Sequence, residues 1–319
     1  MRIKNTKGVA LMHKRLIKGI VLLSSTVLLA GCDSDLADEI LDIANDFINT
    51  EEVAQQPNQS TDSSYIVPDG EIAPADYSIP LSDGNDTLVG EDVVNLPVLD
   101  DTFYYEVNDN IPNFTNDDIT DLTEWEHYSP LDGHGRVGQA NANLHASMMP
   151  ASESDREDIS SIRPSGWNQN ERGDEVAEIV PGGWLYNRSH LIGHQLVGNI
   201  EDDIAEDHHI VNEDFDSVGE LKQRILLTGT RWLNAGDGQG MVAFENFVAD
   251  YIETNEDHHV RYRITPVFYD AEQLARGVQM EGFSIEDNGE GVQFNVYIPN
   301  IQPGVAIDYQ TGLAKVLTE

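Results

Sequence analysis

Gly183-Trp184-Leu185-Tyr186-Asn187-Arg188-Ser189-His190-Leu191-Ile192-Gly193-His194-Gln195-Leu196 is the stretch from which this chain is best read. It sets an arginine two residues before a histidine, among apolar residues able to seat both in a rigid frame. Trp184, Leu185 and Tyr186 read as a strand leading into the histidine. Arginine carries a fixed charge and a planar fork of donors that suits phosphate. Histidine is the side chain best placed to take a proton near neutral pH. One cation for a phosphate beside one base for a water is the minimum equipment for phosphodiester hydrolysis. His190 and His194 stand four apart, the spacing of a zinc-protease helix, but Leu191 stands where that motif needs glutamate and no third ligand is spaced to match. That chemistry is excluded.

Other stretches follow in a fixed order. They are Tyr128-Ser129-Pro130-Leu131-Asp132, Arg163-Pro164-Ser165-Gly166-Trp167, Thr228-Gly229-Thr230-Arg231-Trp232-Leu233-Asn234 and Phe244-Glu245-Asn246. Together with Asn187-Arg188-Ser189-His190 they resemble the DNA/RNA non-specific endonucleases, in the Asn-Arg-Ser-His variant of the streptodornase-like bacterial branch. The likeness runs from about Tyr104 to about Gly312. A lone Arg-x-His would mean little; the ordered set is specific.

The resemblance implies an α+β fold of the ββα-metal type, in which the histidine strand belongs to a hairpin that precedes a metal-binding helix. It implies that His190 is the general base and that Arg188 binds the phosphate. Asn234 would hold Mg²⁺, with Mn²⁺ as the alternative, and Glu245 would orient metal-bound water or pair with an arginine. A neutral oxygen ligand suits Mg²⁺, which keeps most of its waters. The plainer readings are a helix cap or turn for Asn234 and a solvated surface charge for Glu245. Arg231 and the pair Arg261 and Arg263 are candidates for contacting the nucleic-acid backbone, or for neutralising nearby acids. The motif begins with Asn187 rather than aspartate, and Ile225 stands where relatives often have asparagine.

The charge balance is unusual for a protein that would bind a polyanion. The 319 residues hold 57 acids and 18 bases, a formal net charge of −39. Cys32 to Gly135 contains 26 acids and no Lys or Arg, and Arg136 to Glu319 holds 31 acids against 12 bases. Yet no acid occurs between Ile179 and Ile200 or between Leu221 and Gly236, the windows that hold most of the candidate catalytic residues. Local charge at a bound phosphate can be positive while the distant field repels, which implies few phosphate contacts and slow encounter. Solubility in salty surroundings is the plainer reason for the acidity.

The N-terminal part reads as an export signal and tether. Lys14, Arg15 and Lys18 precede an apolar run, Gly19 to Leu29, too short to span a bilayer stably. Leu29-Ala30-Gly31-Cys32 resembles the bacterial lipobox, which implies lipidation at Cys32, a lipoprotein signal over residues 1–32 and membrane attachment at the cell envelope. Met12 is an alternative start. Cys32 is the sole cysteine, so no intramolecular disulfide forms. Residues 33–100 read as an acidic disordered tether, with a short amphipathic helix at Leu36, Ile40, Ile43 and Phe47. Gly84 to Gly90 resembles one calcium-binding nonapeptide repeat, but a β-roll needs several stacked copies.

Residues 101–319 form the expected nuclease domain. Asn141 to Met149 reads as a short helix or loop, and Glu201 to Glu220, with nine acids and His208-His209, as a solvent-exposed insertion. Arg224 to Thr228 reads as a strand. Phe244, Phe247, Val248, Tyr251 and Ile252 mark an amphipathic helix. Val260 to Pro266, Gly277 to Ile285 and Val292 to Ile298 read as three strands, the last two flanking the turn signal Asn288-Gly289. The sequence therefore points to a metal-dependent endonuclease acting on DNA, with RNA as a further substrate. The competing reading is a non-catalytic acidic envelope lipoprotein with a nuclease-like binding domain. A secreted toxin with an immunity partner lacks any visible delivery domain.

Overall fold

The computed structural model describes residues 78–317 apart from 83, 97–102, 152–157, 172, 199, 201–209 and 213. The signal, the lipobox with Cys32 and the Leu36–Phe47 helix lie outside the described residues. No helix among the described residues is long and apolar enough to cross a membrane.

The strands are β1 (Ser78–Ile79), β2 (Tyr105–Val107), β3 (Trp125–Tyr128), β4 (Ala140–Leu144), β5 (Tyr186–His190), β6 (Leu226–Thr230), β7 (Val260–Val267), β8 (Gly277–Ser284), β9 (Gln293–Pro299), β10 (Val305–Ile307) and β11 (Ala314–Val316). The α-helices are α1 (Gly90–Val93), α2 (Glu175–Ile179), α3 (His194–Val197), α4 (Val218–Arg224), α5 (Arg231–Ala235) and α6 (Met241–Thr254). Seven strands form one sheet in the order β1-β2-β9-β8-β7-β4-β3, while β5 pairs with β6 and β10 with β11. Among these named strands every pairing is antiparallel except β1 with β2, and Ile210 adds an isolated parallel bridge to Glu126 of β3.

One face of the large sheet is apolar. Val260, Tyr262 and Ile264 of β7, Val278 and Met280 of β8, and Phe294, Val296 and Ile298 of β9 point to it. Helix α6 covers this face with Phe244, Val248 and Ile252, so its 3.6-residue periodicity meets the strands' period of two. The same cluster takes in Leu191, Ile192 and Leu196 after β5, and Leu226, Leu227 and Leu233.

The opposite face is polar and also buried. Arg261, Arg263, Gln279, Glu281 and Asn295 lie there, all less than a tenth exposed. Arg263 makes a two-pronged ion pair with Glu281 at 2.6 and 2.8 Å. Residues of 84–96 and 103–121 cover this face through hydrogen bonds. Leu88 N–H donates to Gln279 Oε1 and Asn113 N–H to Glu281 Oε1, while Asn295 Nδ2 donates to the Ile111 carbonyl.

This arrangement corrects the expected tether limit at residue 100. Residues 78–82 and 84–96 are folded, with Ile79, Leu88 and Val93 packed beside Tyr105, Val107, Val267 and Tyr297. They hold through these few apolar side chains and through contacts to buried polar groups such as Gln279, neither of which repeats a local spacing in the sequence. Within this segment the nonapeptide-like stretch ends in α1 rather than starting a roll.

Three further expectations shift. Asn141–Leu144 is strand, not helix or loop, because β4 is paired on both sides, with β3 and β7. The strand expected at Arg224 starts at Leu226, and Arg224 closes α4. The described part of the acidic insertion is anchored rather than free. Asn212, buried, accepts from Tyr128 N–H and donates to the Tyr128 carbonyl, and buried Arg224 pairs with Asp214 and Glu220 at 2.9 and 2.8 Å. His208 and His209 lie outside the described residues. The strands β7 to β9 and α6 are as expected, and Asn288 and Gly289 take φ of 57° and 83°.

Candidate active site

The motif histidine ends strand β5. Residues of a strand alternate in direction, so Arg188 and His190 share one face and Asn187 and Ser189 the other. Strand β6 fixes the register, with Thr228 opposite Arg188 and Leu226 opposite His190. On the Ser189 side Gly229 is required: a β-carbon there would lie 2.3 Å from Ser189 Oγ and 3.0 Å from a Leu233 methyl. Leu233 therefore brings α5 down onto this pair of strands. The large sheet grips β6 through Asn300, fully buried, which accepts from Thr230 N–H and donates to the carbonyls of Thr228 and Ala275.

Arg188 is held in a built cradle. Its Nε donates to the Ile162 carbonyl and one Nη to the Ser160 carbonyl, both at 2.7 Å. The guanidinium lies over the Trp167 ring at 4.4 Å, a cation–π contact. Trp167 is placed by the turn before it. Gly166 has φ +71°, and a β-carbon on Gly312 would lie 1.9 Å from the Gly166 carbonyl oxygen, so only glycine allows this approach. The stretch Arg163–Trp167 thus serves Arg188, a role its sequence did not reveal.

After His190 the chain turns through Gly193 into α3, and there it meets Glu245. A β-carbon at Gly193 would lie 2.8 Å from both Cδ and Oε2 of Glu245. Glu245 is half-buried by surface, but its carboxyl end is enclosed by protein, and burial pushes its pKa up to about 7. Fully buried Tyr262 lies nearby; burial first, then the Glu245 charge, hold its hydroxyl well above the usual range. That hydroxyl has no hydrogen-bond partner among the described residues.

Asn234 sits half-buried on α5, which Thr230 caps by accepting from Leu233 N–H at 3.0 Å. Helices α5 and α6 meet at Gly240, where a β-carbon would lie 2.4 Å from the Leu233 carbonyl oxygen. Helix α5 also packs on β5. The strand of Arg188 and His190 and the helices of Asn234 and Glu245 therefore converge. An amide on α5 and an enclosed carboxylate on α6 are oxygen donors of the kind that suits a hard cation retaining its waters.

Arg231 opens α5, with its backbone N–H on the Leu185 carbonyl. Arg261 and Arg263 are placed elsewhere. Arg261 donates to the Ala142 and Tyr262 carbonyls and to Asn141, with its guanidinium between Phe114 and Trp125. Arg263 is committed to Glu281. Both are nearly fully buried in the polar face, which fits neutralisation of acids and not a phosphate contact. A shallow cleft of about 420 Å³ is lined by Trp125, His127, Asn141 and Val211, and none of the candidate catalytic residues lines it.

A sequence profile of the DNA/RNA non-specific endonuclease family matches residues 115–213 and 203–285. Among solved structures, NucA of Streptococcus agalactiae with magnesium bound is 24% identical, with 67% of this chain and 87% of that chain covered at a TM-score of 0.52. The same nuclease with no metal bound is 23% identical, covering 70% and 92% at 0.52. The Sda1 nuclease with a bound zinc ion is 30% identical over 61% of this chain and 81% of that one, at a TM-score of 0.45. The NucA likeness shows a common α+β fold of the ββα-metal type. The profile spans more than half of the chain, and the chain belongs to the DNA/RNA non-specific endonuclease family.

Proposed function

We propose that the chain is a metal-dependent endonuclease that hydrolyses DNA and RNA without sequence preference, with His190 as general base. The observation that carries this reading is the meeting of Glu245 with Gly193, which ties the Arg188–His190 strand to α6. His190 takes the proton from the water that attacks phosphorus, and the bond from phosphorus to the 3′ oxygen breaks. Arg188, stiffened by Trp167, sets its fixed positive charge against the phosphate oxygens as their charge grows. Asn234 would hold Mg²⁺ or Mn²⁺, with Glu245 orienting the ion's water shell. When bound, the ion supplies counter-charge to the phosphate and the leaving oxygen. Arg231 is a candidate backbone contact; Arg261 and Arg263 belong to the sheet.

We further infer that Cys32 tethers the enzyme to the bacterial envelope, where free nucleic acid is its substrate. The lipobox-like stretch supports this.

The test is cleavage of supercoiled plasmid and of single-stranded RNA by the full chain. Degradation in Mg²⁺, its loss with chelator and its loss in His190→Ala support the reading. Intact plasmid across divalent metals and salt levels sinks it. A binding-only role, motivated by the charge of −39, predicts that His190→Ala retains function.

A further inference from the structure

A second cluster of ligating groups stands at one end of the large sheet. Glu124 immediately precedes β3, His145 follows β4 and His259 precedes β7. The pairs Trp125 with Asn143 and Leu144 with Val260 bring these three residues to the same end of adjacent strands. One ligand atom from each lies within 4.8 Å of the others. His145 Nδ1 is 3.6 Å and His259 Nε2 3.9 Å from Glu124 Oε1. The imidazoles stack at 4.6 Å. Neighbouring ligands on a tetrahedral zinc with bonds of about 2.0–2.1 Å stand about 3.3 Å apart, so a small closure completes the geometry.

His259 gives the independent sign of a ligand. It is 7% exposed, and its Nε2 is buried with no hydrogen-bond partner among the described residues. Its other nitrogen, Nδ1, lies 2.7 Å from Glu286 Oε1, and Glu286 Oε2 accepts from the His259 backbone N–H at 2.7 Å. A carboxylate on Nδ1 fixes the proton there and presents the Nε2 lone pair, the arrangement that orients metal-bound histidines. A histidine serving only the core would hydrogen-bond its second nitrogen as well. His145 Nδ1 accepts from Ser147 N–H at 3.1 Å, a contact that either yields to a metal or leaves Nε2 as the ligating atom.

We propose that Glu124, His145 and His259 form a zinc-class transition-metal site, oriented by Glu286, that clips together the ends of β3, β4 and β7. Two imidazoles and one carboxylate select borderline transition metals over Mg²⁺ or Ca²⁺. The site shares no residue with the candidate active site, and the argument stands whether or not that assignment does. A chain with a single cysteine has no intramolecular disulfide, and a metal clip supplies the missing cross-link.

The test uses the metal-stripped full chain in excess Mg²⁺, titrated with Zn²⁺ and with Co²⁺ as a spectroscopic probe. One equivalent of Co²⁺ with visible tetrahedral d–d bands, displaced by Zn²⁺, is expected, with a zinc-dependent rise in Tm. His145→Gln and Glu124→Gln, at more exposed positions than His259, are expected to lose the bands and the Tm rise while keeping Mg²⁺-dependent nuclease activity within about twofold. Glu286→Gln is expected to weaken zinc about 10- to 100-fold. Absence of stoichiometric binding overturns the site. So does a zinc response that is unchanged in His145→Gln and Glu124→Gln, or one lost in Asn234→Ala instead.

Discussion

The carboxyl group of Glu245 closes on the backbone of Gly193, with 2.8 Å between its Cδ and the place a β-carbon would occupy. The obstruction is the tip of a flexible side chain, so Gly193→Ala moves Glu245 more easily than it strains the backbone. We expect the variant to fold with a Tm near that of the wild type. We expect kcat on plasmid to fall roughly tenfold or more with KM little changed, since small misplacements of catalytic groups are costly. Steady-state kinetics beside thermal denaturation check this; unchanged kcat refutes it.

Burial pushes the Glu245 carboxyl from its ordinary 4.5 up to about 7. The folded state therefore holds this proton more tightly than the unfolded chain does. The associated stability is full below about pH 4 and is lost as pH rises through about 7. In chelator, Glu245→Gln should match the wild type near pH 4 and gain on it steadily up to about pH 8. Mg²⁺ at pH 8 should narrow the gap by raising the wild-type Tm. Melting curves across pH decide it, and a gap independent of pH counts against the assignment.

Arg188 owes its place to Trp167 and to the Ser160 and Ile162 carbonyls. Lysine keeps the charge but has neither the plane nor the fork. Arg188→Lys should lower kcat/KM by about 10²-fold, and Trp167→Leu should fall in the same direction by less. Plasmid cleavage rates measure both. Wild-type rates in Arg188→Lys would show that the guanidinium is structural.

The Arg263–Glu281 pair is buried on both sides, at 10% and 0% side-chain exposure. Arg263→Met leaves a carboxylate uncompensated and should cost about 3–5 kcal/mol, whereas Arg263→Met with Glu281→Met should cost much less. Urea unfolding measures the stability. Activity per folded molecule and the salt dependence of DNA binding should stay unchanged, because the Arg263 guanidinium is buried against Glu281 in the sheet face.

Legibility followed the range of the interaction. The helix at Phe244–Ile252, the strands β7 to β9 and the Asn288-Gly289 turn were readable because each repeats a local spacing. Strand β4 was not: Ala140-Asn141-Ala142-Asn143-Leu144 has small and polar residues, and its strand character comes from two neighbours. Residues 78–82 and 84–96 fell within the expected tether because their few apolar side chains, Ile79, Leu88 and Val93, show no local period, and contacts such as Leu88 N–H to Gln279 leave no apolar trace in the sequence. The alternating pattern of β7 placed Arg261 and Arg263 on one face but did not say that this face is covered.

The sequence by itself determined the chemistry on offer: an arginine and a histidine two apart, hence on one strand face, and the apolar stripe of the helix that carries Glu245. Those are consequences of backbone periods of two and 3.6 residues, which any stretch of chain carries within itself. Only the tertiary structure decided that Glu245 meets Gly193, that Trp167 stacks on Arg188, and that Glu124, His145 and His259 share one end of the sheet. Each of these joins residues distant in sequence, and packing and strand register, not local spacing, bring them within reach.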